Sequence, residues 1–262
     1  MLKRRLIPVL YIKNGFIVRS ENFTEHKIIG NVVNAVRRFN EWDIDELVYI
    51  DISRDNNYDS RRDDHKIKRV TSVEEILDLV SKECFMPLTF GGGILNYETI
   101  KRFLEKGADK VLVNRMLYEN PKDIHKAVSN FGSQAIVAAV DYKIVDGDIR
   151  FYSHFGDKDL GMTVTDLKKL LLELKVGEIF LTSIDRDGTG EGYDVDSIQS
   201  LSNFFHIPVV VCGGAIGTLD FEEVASRTDV SGIAAGNMFH FTENIYPRSK
   251  RELVSKEFNF RL

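Results

Sequence analysis

Eight times along this chain a short apolar run gives way to a segment whose apolar residues recur every three or four positions. That alternation constrains the fold more than any other feature, because it is the pattern of βα repetition. The predicted strands are Arg5–Ile12, Glu46–Ile52, Met86–Phe90, Asp109–Val113, Ala135–Asp141, Glu178–Ser183, Pro208–Cys212 and Gly232–Ala235. Helical patterns lie near Val32–Glu41, Val73–Ser81, Tyr97–Glu105, Pro121–Phe131, Thr165–Leu174, Asp194–Phe204 and Leu219–Ser226, with an eighth after Thr242. Strands that are apolar throughout suit burial on both faces, so eight units in 262 residues predict an α/β fold, a (β/α)8 TIM barrel spanning 1–262. An open doubly wound sheet is the competing fold. Against it, no G-x-G-x-x-G follows the first strand, where a dinucleotide-binding sheet would place one.

A long-range repeat sharpens this. Met86-Pro87-Leu88-Thr89-Phe90-Gly91-Gly92-Gly93-Ile94 is similar to Ile207-Pro208-Val209-Val210-Val211-Cys212-Gly213-Gly214-Ala215-Ile216, with the prolines 208 − 87 = 121 residues apart. Leu10-Tyr11-Ile12-Lys13 lines up with Val140-Asp141-Tyr142-Lys143 at 141 − 11 = 130. Spacings near half the length predict two half-barrels, about 1–131 and 132–262, with functional groups paired across one mouth. Pro8 strains the scheme, because a closed barrel has no free edge and proline cannot donate to the ladder; an unpaired acceptor or a bulge is expected there.

Composition removes several classes of function. With 35 Lys and Arg against 40 Asp and Glu, the net charge of −5 offers no positive field to nucleic acid or anionic lipid. The longest apolar runs are about six residues, against roughly 20 for a membrane span. No secretory h-region follows the basic start Met1-Leu2-Lys3-Arg4-Arg5, so the cytoplasm is expected. Cys84 and Cys212 are too few for a disulfide framework and have no ligand-spaced neighbours, so no metal site is expected.

Barrel chemistry gathers where strands end. The third run ends in Gly91-Gly92-Gly93 and the seventh in Gly213-Gly214, each before a helix, where backbone N–H groups can approach an anion closely. Asn114 and Arg115 after the fourth run, with Gly236 and Asn237 after the eighth, complete two phosphate sites, unless the glycines merely close tight turns. Asp51, Asp141 and Asp185-Arg186-Asp187-Gly188 end the second, fifth and sixth runs. Asp141 follows Ala135–Val140, where low dielectric lifts a carboxyl toward a pKa useful in acid–base work. Asp187 fits a catalytic role or an Asp-Gly turn equally, and Thr182 and Ser183 fit substrate contact or strand packing.

Lys3 to Gly15, Phe90–Ile94, Gly107–Val111, Phe131–Ala135 and above all Leu-Thr-Ser-Ile-Asp-Arg-Asp-Gly-Thr (Leu181–Thr189) resemble the cyclase subunit of imidazole glycerol phosphate synthase. The likeness covers almost the whole chain and implies a barrel of the ribulose-phosphate-binding type. It implies a heterodimer with a glutaminase docked on the N-terminal face and ammonia conducted through the interior to a bisphosphorylated ribulosyl substrate, with no metal or organic cofactor. By position it implies phosphate contacts at Gly93 and Asn114 in one half and at Asp187, Gly188, Gly214, Gly236 and Asn237 in the other. Asp141 matches the second catalytic carboxylate of that family. Arg5, Glu46, Lys110 and Glu178 match its charged gate at the barrel floor, although a surface ion-pair ring would have the same pattern. Asp109 matches a glutaminase-interface residue.

There are departures from that family. Tyr11 stands where its first catalytic Asp is found, and a phenol with an ordinary pKa near 10 can donate a proton but is a poor general base. Arg115 and Cys212 replace small hydroxyl residues. The segment 54–69, with six basic and four acidic residues, lengthens the loop after the second strand, as a lid, a partner surface or a solvated charge run. The combination resembles paralogs associated with surface-polysaccharide synthesis, in which ammonia serves sugar amidation, with a downstream sugar amidotransferase as a further partner. An authentic histidine-pathway cyclase, a non-catalytic ammonia conduit that activates the glutaminase, and an aldose isomerase are the alternatives.

Overall fold

The computed structural model describes residues 3–54, 58 and 70–261. Of the charged segment 54–69, only Arg54 and Tyr58 fall among them, and the rest of that expectation lies outside the described residues. The strands are β1 (Arg5–Lys13), β2 (Phe16–Glu21), β3 (Glu25–Asn31), β4 (Leu47–Asp51), β5 (Leu88–Gly91), β6 (Lys110–Val113), β7 (Ile136–Val145), β8 (Asp148–Ser153), β9 (Lys158–Asp159), β10 (Glu178–Ser183), β11 (Val209–Cys212) and β12 (Gly232–Ala235). The helices are α1 (Val32–Glu41), α2 (Val73–Glu83), α3 (Tyr97–Glu105), α4 (Arg115–Glu119), α5 (Pro121–Phe131), α6 (Val164–Leu174), α7 (Val195–Phe205), α8 (Thr218–Arg227), α9 (Met238–Phe241) and α10 (Ile245–Ser255). No described helix is long and apolar enough to cross a membrane.

Eight strands pair in parallel in the order β10-β11-β12-β1-β4-β5-β6-β7, and β7 returns to β10 from Glu178↔Val137 to Ser183↔Tyr142. The sheet is therefore a closed barrel, with helices between its strands, and the open-sheet alternative is set aside. Because strand side chains alternate, β1 sends Ile7, Val9 and Tyr11 inward while Leu6, Leu10 and Ile12 face the helices. Inside, Ile7, Val9, Val48, Leu112, Val137, Ala139, Phe180 and Val210 form one apolar cluster. Outside, helical spacing buries a stripe of each helix. In α1 the stripe is Val32, Ala35, Val36 and Phe39, and Asn31 caps the helix by accepting from the backbone of Val33 and Asn34.

Two strands run past the barrel. β1 turns at Asn14-Gly15 (φ 51° and 88°) into the β2–β3 ribbon, and β7 turns at Asp146-Gly147 (φ 54° and 86°) into β8 and β9. The fifth predicted strand thus continues beyond Asp141, because an antiparallel neighbour takes up its backbone groups. Asn-Gly and Asp-Gly supply the left-handed conformations that a two-residue hairpin turn needs. The turns lie 146 − 14 = 132 residues apart, close to the half-length spacing of the sequence repeat.

Pro8 falls where β1 changes partners, from β12 over Arg5–Pro8 to β4 over Val9–Ile12, and the register with β12 runs unbroken up to it. The backbone groups of Leu6, below the β4 ladder, are taken by side chains. Asp45 Oδ2 accepts from Leu6 N at 2.9 Å, and the Tyr246 hydroxyl donates to Leu6 O at 3.0 Å while accepting from Asp45 N at 2.9 Å. Tyr246 lies on α10 and is fully buried, so one hydroxyl ties the last helix to the first strand. Tyr246→Phe strands a buried donor and acceptor and should cost about 1–3 kcal/mol. A urea midpoint that does not fall in this variant would remove that role.

Candidate active site at the barrel mouth

Past the last apolar layer, β7 carries Asp141 to the mouth and β10 places Thr182 beside it. Asn114, immediately after β6, donates through Nδ2 to the Ala139 carbonyl and to Asp141 Oδ2, each at 3.1 Å. Burial pushes the Asp141 carboxyl up to about 7, the Asp187 charge adds to this, and a hydrogen bond from Thr182 opposes it. A carboxyl that titrates near neutrality can both give and take a proton.

Across the mouth Tyr11 is buried, and its hydroxyl donates over a long 3.4 Å to Asp187 Oδ1. Ser20 Oγ of β2 donates to Asp187 Oδ2 at 2.7 Å. Burial, reinforced by Asp187 and Cys212, holds the Tyr11 hydroxyl well above its ordinary value, so it stays protonated and serves only as a donor. Burial also raises Asp187, despite the hydroxyls of Ser20 and Tyr11. Asp51, at the end of β4, accepts from Ser53 N at 3.0 Å, from Ser53 Oγ at 2.6 Å and from the Tyr58 hydroxyl. Burial outweighs those donors and raises its carboxyl as well.

Between Asp141 and Tyr11 lies a cavity of about 340 Å³. Tyr11, Asp51, Gly92, Gly93, Asn114, Arg115, Asp141 and Thr182 line it, so the structure gathers one predicted half-site in full. A Cβ on Gly92 would stand 2.0 Å from the Asp51 carbonyl oxygen, so only glycine fits there, whereas beside Gly93 the space is open. Arg115 is already ion-paired with Glu119, which also meets His154 Nε2 at 3.3 Å.

The other half is arranged differently. Asp187, Gly188, Gly213, Gly214, Gly236 and Asn237 do not appear among the described residues of the cavity wall. The β2–β3 ribbon lies on Asp187, Gly188 and Asn237, while Gly213 and Gly214 pack against the backbones of Ser183 and Gly192. Asn237 Nδ2 donates to the Ser20 carbonyl at 2.8 Å, Asn22 N donates to the Asp187 carbonyl at 2.8 Å, and a Cβ on Gly188 would stand 2.0 Å from the Ser20 carbonyl oxygen. Gly236 packs beside the Tyr11 ring. Asp185, outside this group, accepts from Ile144 N at 2.9 Å and so braces the β7–β8 hairpin.

At the opposite end, Arg5, Glu46, Lys110 and Glu178 meet in one ring. Arg5 pairs with both glutamates, and Lys110 Nζ reaches Glu46 Oε1 and Glu178 Oε2 at 3.0 Å each. Thr89 Oγ1 adds a bond to Glu46 at 2.8 Å. Burial works against the Glu46 charge, yet Arg5 and Lys110 hold its carboxyl below the usual range. Asp109 is exposed on this face, and its carboxylate accepts from Leu88 N at 2.8 Å. Nearby Phe85 is 85% exposed.

Sequence reasoning missed the mouth residues carried by the two ribbons. Lys13, Ser20, Phe23, His26, His154 and Phe155 all line the cavity. Lys13 Nζ lies 3.2 Å from His26 Nδ1, and burial together with Lys13 and Arg54 holds the imidazole below its ordinary value. The Asn-Gly and Asp-Gly dipeptides after two apolar runs were the signal that could have revealed both ribbons.

The family described as histidine biosynthesis protein matches residues 5–244. A relative from Chlorobium luteolum, imidazole glycerol phosphate synthase subunit HisF, is 37% identical over 262 residues and all of both chains. Proteins of the same name from Alkaliphilus metalliredigens and Streptococcus sanguinis are 34% and 35% identical, again over all of both chains. With a closed barrel, a mouth carboxylate and full-length kinship of this kind, the chain is HisF-like and belongs to the histidine biosynthesis protein family.

Proposed function

We propose that this barrel is a synthase subunit of the lyase type that takes ammonia from a glutaminase partner and uses it on a phosphorylated small molecule. The observation that carries this reading is Asp141, a carboxyl poised near neutrality at the inner end of an open cavity. Beside it, the Gly93 backbone and the Asn114 amide offer neutral donors and Arg115 a cation, a set suited to one phosphate. Below it, the apolar interior accommodates neutral ammonia far better than ammonium, because burying an unpaired charge is costly. The floor ring, with Asp109 and exposed Phe85 on the same face, fits a docking surface for the subunit that would supply it. In the proposed assignment Asp141 is the acid–base group, Tyr11 a donor that positions Asp187, and Gly188, Gly213, Gly214, Gly236 and Asn237 a second anion-binding half that the ribbon covers at Gly188 and Asn237.

Tyr11 favours a specialised role, in sugar amidation for surface polysaccharide with a downstream sugar amidotransferase, over histidine-pathway cyclisation. A two-carboxylate reaction loses its second base here, which costs roughly 10²–10⁴ in rate. Full-length identity to HisF proteins favours the second reading, an authentic cyclase. Turnover of the bisphosphorylated ribulosyl substrate with ammonium salt separates them. We expect at least about a hundredfold deficit against ordinary HisF subunits, and activity within tenfold of theirs would reject the specialised role.

Asp141→Asn should lower ammonium-driven turnover on the true substrate by about 10²–10⁴ and abolish the pH limb near 7 set by this carboxyl. The folded-state pKa lies above the unfolded one, so ionising Asp141 costs stability as pH rises from about 4 to about 7, and the cost then levels off. The Asn variant should therefore gain about 1–3 kcal/mol on wild type at pH 8, with the gap closing by pH 4. Equal denaturant midpoints at pH 8 would show that the buried carboxyl is not strained. Lys110→Met should change the ratio of glutamine-driven to ammonium-driven turnover about tenfold, or ~1.4 kcal/mol. An unchanged ratio would make the ring a purely structural clasp.

A further inference from the structure

Behind the β2–β3 ribbon, on the outside of the barrel, lies a second cavity of about 520 Å³. The ribbon contributes Phe16, Ile17 and Ile28 to its wall, α1 contributes Asn34 and Arg38, and α9 contributes His240. Apolar surface makes up most of the wall, and its polar members are Asn31, Asn34, His240 and the cation Arg38. Its guanidinium is 5.0 Å from the Phe39 ring centroid and 5.2 Å from that of Trp42. Nη2 reaches His240 Nδ1 at 3.1 Å, and Nε is buried with no hydrogen-bond partner among the described residues. The neighbouring Arg37, by contrast, is paired with Glu83 at 2.8 Å.

Arginine can only donate, so His240 Nδ1 is the acceptor and the ring is neutral. Burial and the Arg38 charge agree with this by pushing the imidazole down to about 4. Arg38 is thus a half-buried cation held by two aromatic rings and a neutral imidazole, with no carboxylate paired to it among the described residues. A half-buried cation without a counter-charge is unfavourable, and a planar guanidinium fork matches the paired oxygens of a carboxylate or phosphate.

We propose that this cavity is a second anion site, outside the barrel, for a small molecule bearing a phosphate or carboxylate on a compact apolar body. The anionic oxygens engage Arg38, and the apolar body lies against Phe16, Ile17 and Ile28. Such a ligand would touch both the ribbon that carries Ser20 to Asp187 and the helix that follows Asn237, so it is placed to act as an effector of the mouth. The site stands whether or not the proposed reaction does.

Trp42 is the only tryptophan of the chain, and its emission reports on the site directly. Phenyl phosphate should change that emission saturably, with a Kd at least about tenfold below that of inorganic phosphate. Arg38→Gln should raise that Kd about tenfold or more. So should Gly30→Val, which fills the cavity from a strand position where an added Cβ meets nothing within 4 Å. Asp141→Asn should leave it unchanged. A response that does not saturate, equal affinity for the two probes, or an unchanged Kd in Gly30→Val would overturn the proposal. So would a loss of binding in Asp141→Asn, which would put the probe in the barrel mouth instead.

Discussion

A closed parallel barrel has no edge, and everything else in this molecule follows from that closure. Once β7 returns to β10, the backbone of each barrel strand is engaged on both sides and each inward side chain is enclosed by its neighbours. Polar side chains then persist only at the two open ends, where they pair with one another or meet solvent. The structure obeys this division. Four charges are spent on each other at the floor, apolar side chains fill the middle, and Asp51, Asp141 and Asp187 occupy the top.

The two ends differ in how their charges are compensated. At the floor both glutamates of the ring have cations within hydrogen-bond reach, and Arg5 and Lys110 hold the Glu46 carboxyl below its usual range. At the mouth the three aspartates are met by hydroxyls and amides. Neutral donors cannot repay the full desolvation cost of a carboxylate, so all three are raised. Asp141 alone combines that strain with access to the cavity and an amide positioned by the backbone. Perturbed carboxyls in clefts are where acid–base chemistry is found, and the reason is this mismatch between burial and compensation.

The barrel and much of its mouth were legible in the sequence because they rest on local rules. Eight apolar runs at βα spacing became eight parallel strands, and α1, α3 and α5 begin and end at the predicted residues, since their apolar stripes and caps are close in sequence. Gly92 and Gly93, Asn114, Asp141 and Thr182 meet because each ends a barrel strand. The ribbons were not read. β3 is mostly exposed and polar, so it lacks the buried alternation that marks a strand, and only the dipeptide at its hairpin betrays it. Nor could spacing show that Ser20 would cover Gly188 and Asn237. That contact joins residues more than 160 positions apart and depends on how far β1 runs past the barrel.

Tyr11 makes most sense when set against the cost of burying charge. A carboxylate at its position would be a third acid beside Asp141 and Asp187, whose charges already destabilise one another. Each added negative charge raises the others further, and a site with three such groups holds at least one proton in common at neutral pH. A phenol removes that competition. It stays neutral, donates a hydrogen bond to Asp187, and leaves Asp141, pushed up to about 7, facing the cavity. The same ring packs against Gly236, so the substitution also fills space at the edge of the second half-site. A tyrosine in place of a carboxylate thus sets electrostatics and shape together, sparing the mouth a further buried negative charge while filling the space beside Gly236.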